Sequence, residues 1–168
     1  MSNLLLQPDL SGDGPIHDVT PASAGWLHVG FGLHDLAAAR SVGSDGTVDE
    51  ICLVLLSGSV RIIAGDLDTG MLQGRASVFD KVAPHAVYVP MKTAWRVEAG
   101  SDSELAVCRA PGTEGKLPPR LIGSQNMPLE TRGTGSNVRH VCNILPETEP
   151  ADSLLVVEVI TPAGNWSS

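Results

Sequence analysis

The chain has 168 residues and a formal net charge of -8, from 11 Lys and Arg against 19 Asp and Glu. An acidic chain repels phosphate backbones and anionic headgroups, which argues against nucleic acid and membrane surfaces as partners. With 42% apolar and 18% charged residues it has the composition of an ordinary globular domain, long enough to enclose one sizeable core.

The first Lys or Arg is Arg40, so the start shows neither a basic signal region nor an Arg-rich transit segment, and the expected location is cytoplasmic. The longest aliphatic runs, 53–56 and 154–157, are far too short to span a bilayer. Helical periodicity is nearly absent, because Gly or Pro interrupts most windows. Short runs rich in β-branched and aromatic residues recur instead. The first is 26–31, with Leu27, Val29 and Phe31 on one face. Runs 51–56 and 60–64 flank Ser57-Gly58-Ser59, a hairpin turn. Runs 75–79, 86–89, 94–97 and 105–108 follow. The segment 111–135 is rich in Gly, Pro and charge, with Leu121-Ile122 its sole apolar anchor, and reads as a long connection. Two more runs, 138–144 and 154–160, are separated by the rigid loop 146–150. The run 154–160 is almost continuously apolar, so both faces are expected to need cover, either within this domain or from a neighbouring unit. Many short strands at regular spacing predict an all-β fold, an antiparallel sandwich or barrel.

No self-contained catalytic set emerges from the residue types. Cys52, Cys108 and Cys142 lie far apart in apolar runs, with no CxxC or CxH pair, and read as buried reduced thiols. His17, His28, His34, His85 and His140 form no HxH, HxxH or HExxH pair. His28 and His34 would share a strand face, but Gly30, Gly32 and a turn-like His34-Asp35 argue against one continuous strand; His85, after Pro84, reads as a solvated loop residue. Neither Ser57-Gly58-Ser59 nor Gly133-Thr134-Gly135 has the strand-to-helix context of a nucleophile elbow or a phosphate loop. The carboxylates Asp49-Glu50, Glu147 and Glu149 read as solvated turn residues. Among Arg96, Arg109, Arg120, Arg132 and Arg139, the last opens an apolar strand after a glycine-rich loop. Arg139 is therefore the guanidinium expected to face a cleft and meet a sugar carboxylate, with structural pairing to a carboxylate the alternative.

Certain segments carry a resemblance. The hairpin 52–58 and the segment 85–95 look like the two β-motifs of a cupin, with Gly58 and Pro90 at the motif glycine and proline. Segments 23–31, 108–112, 139–146, 149–158 and 161–168 together resemble the 5-deoxy-glucuronate isomerase family of bacterial inositol catabolism, a bicupin family, from about Leu4 to Ser168. The departures are specific. Trp95 stands where a metal-binding cupin carries its second-motif histidine, Lys92 stands at the usual glycine, and 41–49 holds no HxH.

The resemblance implies an aldose–ketose isomerisation of 5-deoxy-glucuronate to 2-deoxy-5-keto-gluconate. It implies a cupin-like N-terminal half, with a metal-free barrel over 1–145 and a linker and strand over 146–168 leading toward a second cupin absent from this chain. No cofactor is expected in this chain; a divalent metal, zinc or manganese, is expected in the second cupin, and the chain alone is expected to be inactive. Asn165, Trp166 and Ser167 lead toward that metal site and are candidates for substrate or ligand support, or for a loop that packs the barrels together. The expected partners are a sugar-acid substrate and further copies of the chain through an exposed face. The alternatives are a metal-free cupin that binds a sugar acid without turnover, and a structural or oligomerisation domain.

Overall fold

Alternating apolar positions along short strands assemble three antiparallel sheets in a computed structural model that describes residues 5–12 and 14–167. Leu4 and Ser168, where the sequence resemblance begins and ends, lie outside the described residues. The strands are β1 (His17–Val19), β2 (Gly30–Leu36), β3 (Ser41–Ser44), β4 (Asp49–Ser57), β5 (Ser59–Ala64), β6 (Leu67–Gln73), β7 (His85–Val89), β8 (Trp95–Ala99), β9 (Ser103–Pro111), β10 (Arg120–Ile122), β11 (Leu129–Arg132), β12 (Arg139–Leu145) and β13 (Val156–Ile160). One α-helical turn, α1 (Pro21–Ala24), is capped by the Thr20 hydroxyl. Among the described residues no helix is long and apolar enough to cross a membrane.

A six-stranded sheet runs β1-β2-β9-β4-β7-β10 and faces a four-stranded sheet, β3-β8-β5-β6. The apolar core between them takes Leu36, Ile51, Leu53, Leu55, Val60, Ile62, Val87, Val97, Leu105 and Val107. The six-stranded sheet is buried on its other face too. There Cys52, Val54, Tyr88 and Ala106 meet Cys142, Ile144 and Val156 of the third sheet, β11-β12-β13. The fold is thus nearly all β, a cupin-like antiparallel sandwich with a third sheet laid on one flank.

The turn expected at Gly58 forms, but it does not close a hairpin: β4 pairs with β7 and β9 while β5 pairs with β6 and β8, so the turn carries the chain from one sheet to the other. The φ of Gly58 is +85°, and a Cβ there would stand 2.2 Å from the Asp102 carbonyl, so only glycine fits the turn. Several local expectations are corrected. The run 26–31 is not a strand: Trp26, Leu27 and Val29 are exposed, and β2 starts only at Gly30. The strand then continues through His34-Asp35, because β9 pairs with all seven of its residues. The run 75–79 is a loop. Arg75 holds it in place, donating to the carbonyls of Leu56 at 2.8 Å and Val82 at 3.0 Å and pairing with Glu158 of β13. The segment 111–135 contains β10 and β11 within the expected connection. His85 begins β7, half-buried, and its Nδ1 accepts from the Ser124 amide at 3.3 Å. Glu50, expected in a solvated turn, is fully buried in β4.

The apolar run 154–160 alternates more than its composition suggests. Leu154 and Val156 are buried, whereas Leu155, Val157 and Val159 are exposed, and β13 is an edge strand.

Candidate functional site

The residues singled out in the sequence gather at one end of the third sheet. Arg139 opens β12, and its Nη1 donates to the carbonyl of Asn137 at 3.1 Å and to the Asn137 side chain. The Asn165 side-chain oxygen accepts from the Val138 amide at 3.1 Å, and the Trp166 amide donates to the Ser136 carbonyl at 3.0 Å. Asn165 and Trp166 therefore pin the 161–167 segment onto the glycine-rich loop that precedes Arg139. Trp166 is 58% exposed and Ser167 is exposed. Arg139 is engaged with its own loop, which limits its freedom to reach a carboxylate.

A second locus lies between the two facing sheets and went unnoticed in the sequence. A cavity of about 280 Å³ is lined by Asp18, His34, Ser44, Asp49, Trp95 and Arg109 with their neighbours. Strand alternation aims these side chains inward. His34 is in phase with Leu36, Trp95 with Val97, and Arg109 with Leu105 and Val107, all of the inter-sheet core. Arg109 donates to Asp18 at 2.9 Å. The guanidinium lies over Gly32, where a Cβ would stand 2.9 Å from Nη2, so the missing side chain makes room for the cation. His34 and Trp95 are 6% and 8% exposed, and neither His34 Nδ1 nor Trp95 Nε1 finds a hydrogen-bond partner among the described residues. Burial, then the neighbouring Arg109 charge, holds the His34 imidazole below its ordinary value, with Asp18 pulling the other way.

This donor set does not fit a divalent cation. The indole nitrogen only donates, a guanidinium repels a metal and already holds Asp18, and His34 and Asp49 remain. Among the described residues no three His, Cys, Asp or Glu side chains come together in a metal-holding group. Cys52 and Cys142 are buried and Cys108, expected buried, is half-buried; the thiols of Cys108 and Cys142 are both pushed up to about 11, chiefly by desolvation, which makes them poor nucleophiles.

Comparison with known proteins extends across the chain. Residues 4–168 match the model of the KduI/IolB family. A 5-deoxy-glucuronate isomerase of Geobacillus kaustophilus is 47% identical over 93% of this chain and 56% of its own length. One from Halalkalibacterium halodurans is 37% identical over 100% of this chain and 64% of its own length. A crystal structure of an IolB-like protein from Salmonella typhimurium LT2 superposes with a TM-score of 0.91 at 44% identity, covering 97% of this chain and 61% of that one. The chain thus spans between 56% and 64% of the length of these relatives.

Proposed function

Because this chain belongs to the KduI/IolB family, we propose that it forms part of an enzyme that isomerises 5-deoxy-glucuronate to 2-deoxy-5-keto-gluconate in inositol catabolism. The observation that carries this reading is 47% identity to a curated 5-deoxy-glucuronate isomerase over 93% of the chain. An aldose–ketose conversion moves a proton between adjacent carbons while a carbonyl and a hydroxyl exchange places, so it needs a base and a polarised oxygen. Among the described residues, neither locus groups the ligands that a divalent metal polarising that oxygen would need. We therefore place the divalent metal, zinc or manganese, in a second cupin, within the length of the relatives that this chain does not span.

In this reading the sandwich supplies structure and an interface. Arg139, Asn165, Trp166 and Ser167 stand on the side from which the chain would run toward the second cupin. The backbone clasp of Asn165 and Trp166 on 136–138 supports a role in fixing that direction. The exposed side chains Leu155, Val157 and Val159 on an edge strand support association of this face with another cupin unit or with further copies of the chain. Three free thiols, Cys52, Cys108 and Cys142, support a reducing, cytoplasmic setting.

The test is turnover. Purified 168-residue chain is expected to leave 5-deoxy-glucuronate unchanged, with and without added zinc or manganese, while a version extended to the length of the relatives converts it. Conversion by the 168-residue chain would contradict the placement of the metal. Failure of the extended protein to act on this substrate would contradict the isomerase reading itself.

A further inference from the structure

We infer that the cavity between the two facing sheets binds a polyhydroxylated small molecule of monosaccharide size, held by Trp95, His34 and Arg109. This goes beyond the isomerase reading, since it concerns a different site and requires no turnover.

Two observations independently point to a ligand. Trp95 Nε1 and His34 Nδ1 are polar atoms of side chains more than nine-tenths buried, and both lack a partner among the described residues. An unsatisfied buried donor costs about 1–3 kcal/mol, so two on one cavity call for a molecule that answers them. The second observation is the build of the site. Gly32 has no side chain where Arg109 passes, and the strand pair β2-β9 holds the guanidinium against the cavity wall.

The lining chooses among ligand classes. Asp18 already neutralises Arg109, and Asp49 adds a further carboxylate, so a multiply charged anion such as phosphate meets repulsion. A cation meets the guanidinium. An apolar molecule leaves the indole N–H and the imidazole nitrogen unanswered. A hydroxyl both gives and takes a hydrogen bond, and so suits a lining that holds donors (Trp95, Arg109), acceptors (Asp18, Asp49) and a neutral imidazole. A volume of about 280 Å³ lies just below the usual range for small-molecule sites and suits a ligand of monosaccharide size.

The test uses the 168-residue chain and two probes, D-glucose and D-glucuronate. The chain has three tryptophans, and Trp95 is the buried one, so its indole N–H resonance is a separate reporter in the ¹⁵N-labelled chain. A saturable shift of that resonance with either sugar is expected, with Trp26 and Trp166 unmoved. Saturation by glucuronate alone would support the proposal with Arg109 reading a carboxylate; saturation by glucose as well would support it with recognition through hydroxyls. By calorimetry, Trp95→Phe, which keeps a ring in the core, and His34→Phe are each expected to weaken binding about tenfold. The proposal falls if neither sugar saturates the shift, which would mean solvent only, or if binding survives undiminished in whichever of the two variants folds.

Discussion

The Tyr88 hydroxyl donates to Glu50 Oε2 at 2.8 Å, and both side chains are wholly buried. The same carboxylate accepts from the backbone amides of Asp152 at 2.9 Å, Ser153 at 2.5 Å and Leu154, and from the Ser153 hydroxyl at 2.9 Å. Asp152 answers by accepting from the amides of Thr113, Glu114 and Gly115. A carboxylate at the start of β4 is thus the point at which the approach to β13 is fastened to the sandwich. Five donors satisfy its charge, which is how it can lie so deep.

Glu50→Gln is expected to cost about 3 kcal/mol, because the amide keeps the shape but turns donors toward donors. Tyr88→Phe removes one bond from the same carboxylate and is expected to cost about 1–2 kcal/mol. Urea unfolding of both variants measures this, and equal, negligible losses would show that the clasp does not hold the third sheet.

Acid is expected to destabilise the chain in the histidine range. Burial and the Arg109 charge lower the His34 value, against Asp18, and burial lowers that of His85. Both therefore take up a proton more readily in the unfolded chain. Their contribution is complete above the unfolded value near 6.5 and is lost as the pH falls below it toward the folded values. The urea midpoint should fall between about pH 7 and pH 5, and less steeply in a His34→Gln, His85→Gln double variant. An identical slope in that variant would assign the acid sensitivity elsewhere.

Lys92 occupies a left-handed backbone position, with φ +62°. Its amide donates to the Thr47 carbonyl at 2.7 Å, which fixes the turn. Lys92→Gly is expected to raise stability by about 1 kcal/mol, since the relief of strain exceeds the added unfolded-state freedom. Thermal unfolding tests this; a lowered midpoint would show that the side chain itself stabilises the turn.

Sedimentation of the 168-residue chain is expected to show concentration-dependent association through β13. Val157→Lys with Val159→Lys should abolish it, placing charge on the exposed edge strand while leaving Val156 in the core. A strictly monomeric parent chain would remove the need for that face to be covered.

The sequence exposed the central strands well, because 51–56, 86–89 and 105–108 are apolar on both faces and lie in a sheet with a core on either side. It misjudged 26–31, where apolar side chains stand in the open, and 75–79, whose order comes from the side chain of Arg75 rather than from a ladder. Lys92 and Trp95 were marked as departures from a cupin motif, and each proves physically distinctive: one in left-handed backbone, the other with an unanswered indole on a cavity. His34 and Arg109 stayed hidden because their meeting depends on β2 lying beside β9, a pairing across more than sixty residues that local periodicity does not contain. The spacing Gly30-x-Gly32-x-His34 was the available signal, two vacancies followed by an imidazole on one strand face.

Strand β4 serves two interiors at once. Ile51, Leu53 and Leu55 belong to one, and Cys52, Val54 and the Glu50 carboxylate to the other. Inserting a single residue ahead of Ile51 would exchange these allegiances in one step, driving a charged group among aliphatics while stripping the flanking sheet of its anchor. Evolutionary tinkering with length is therefore barred from this strand and confined to the exposed turn at 47–48 ahead of it.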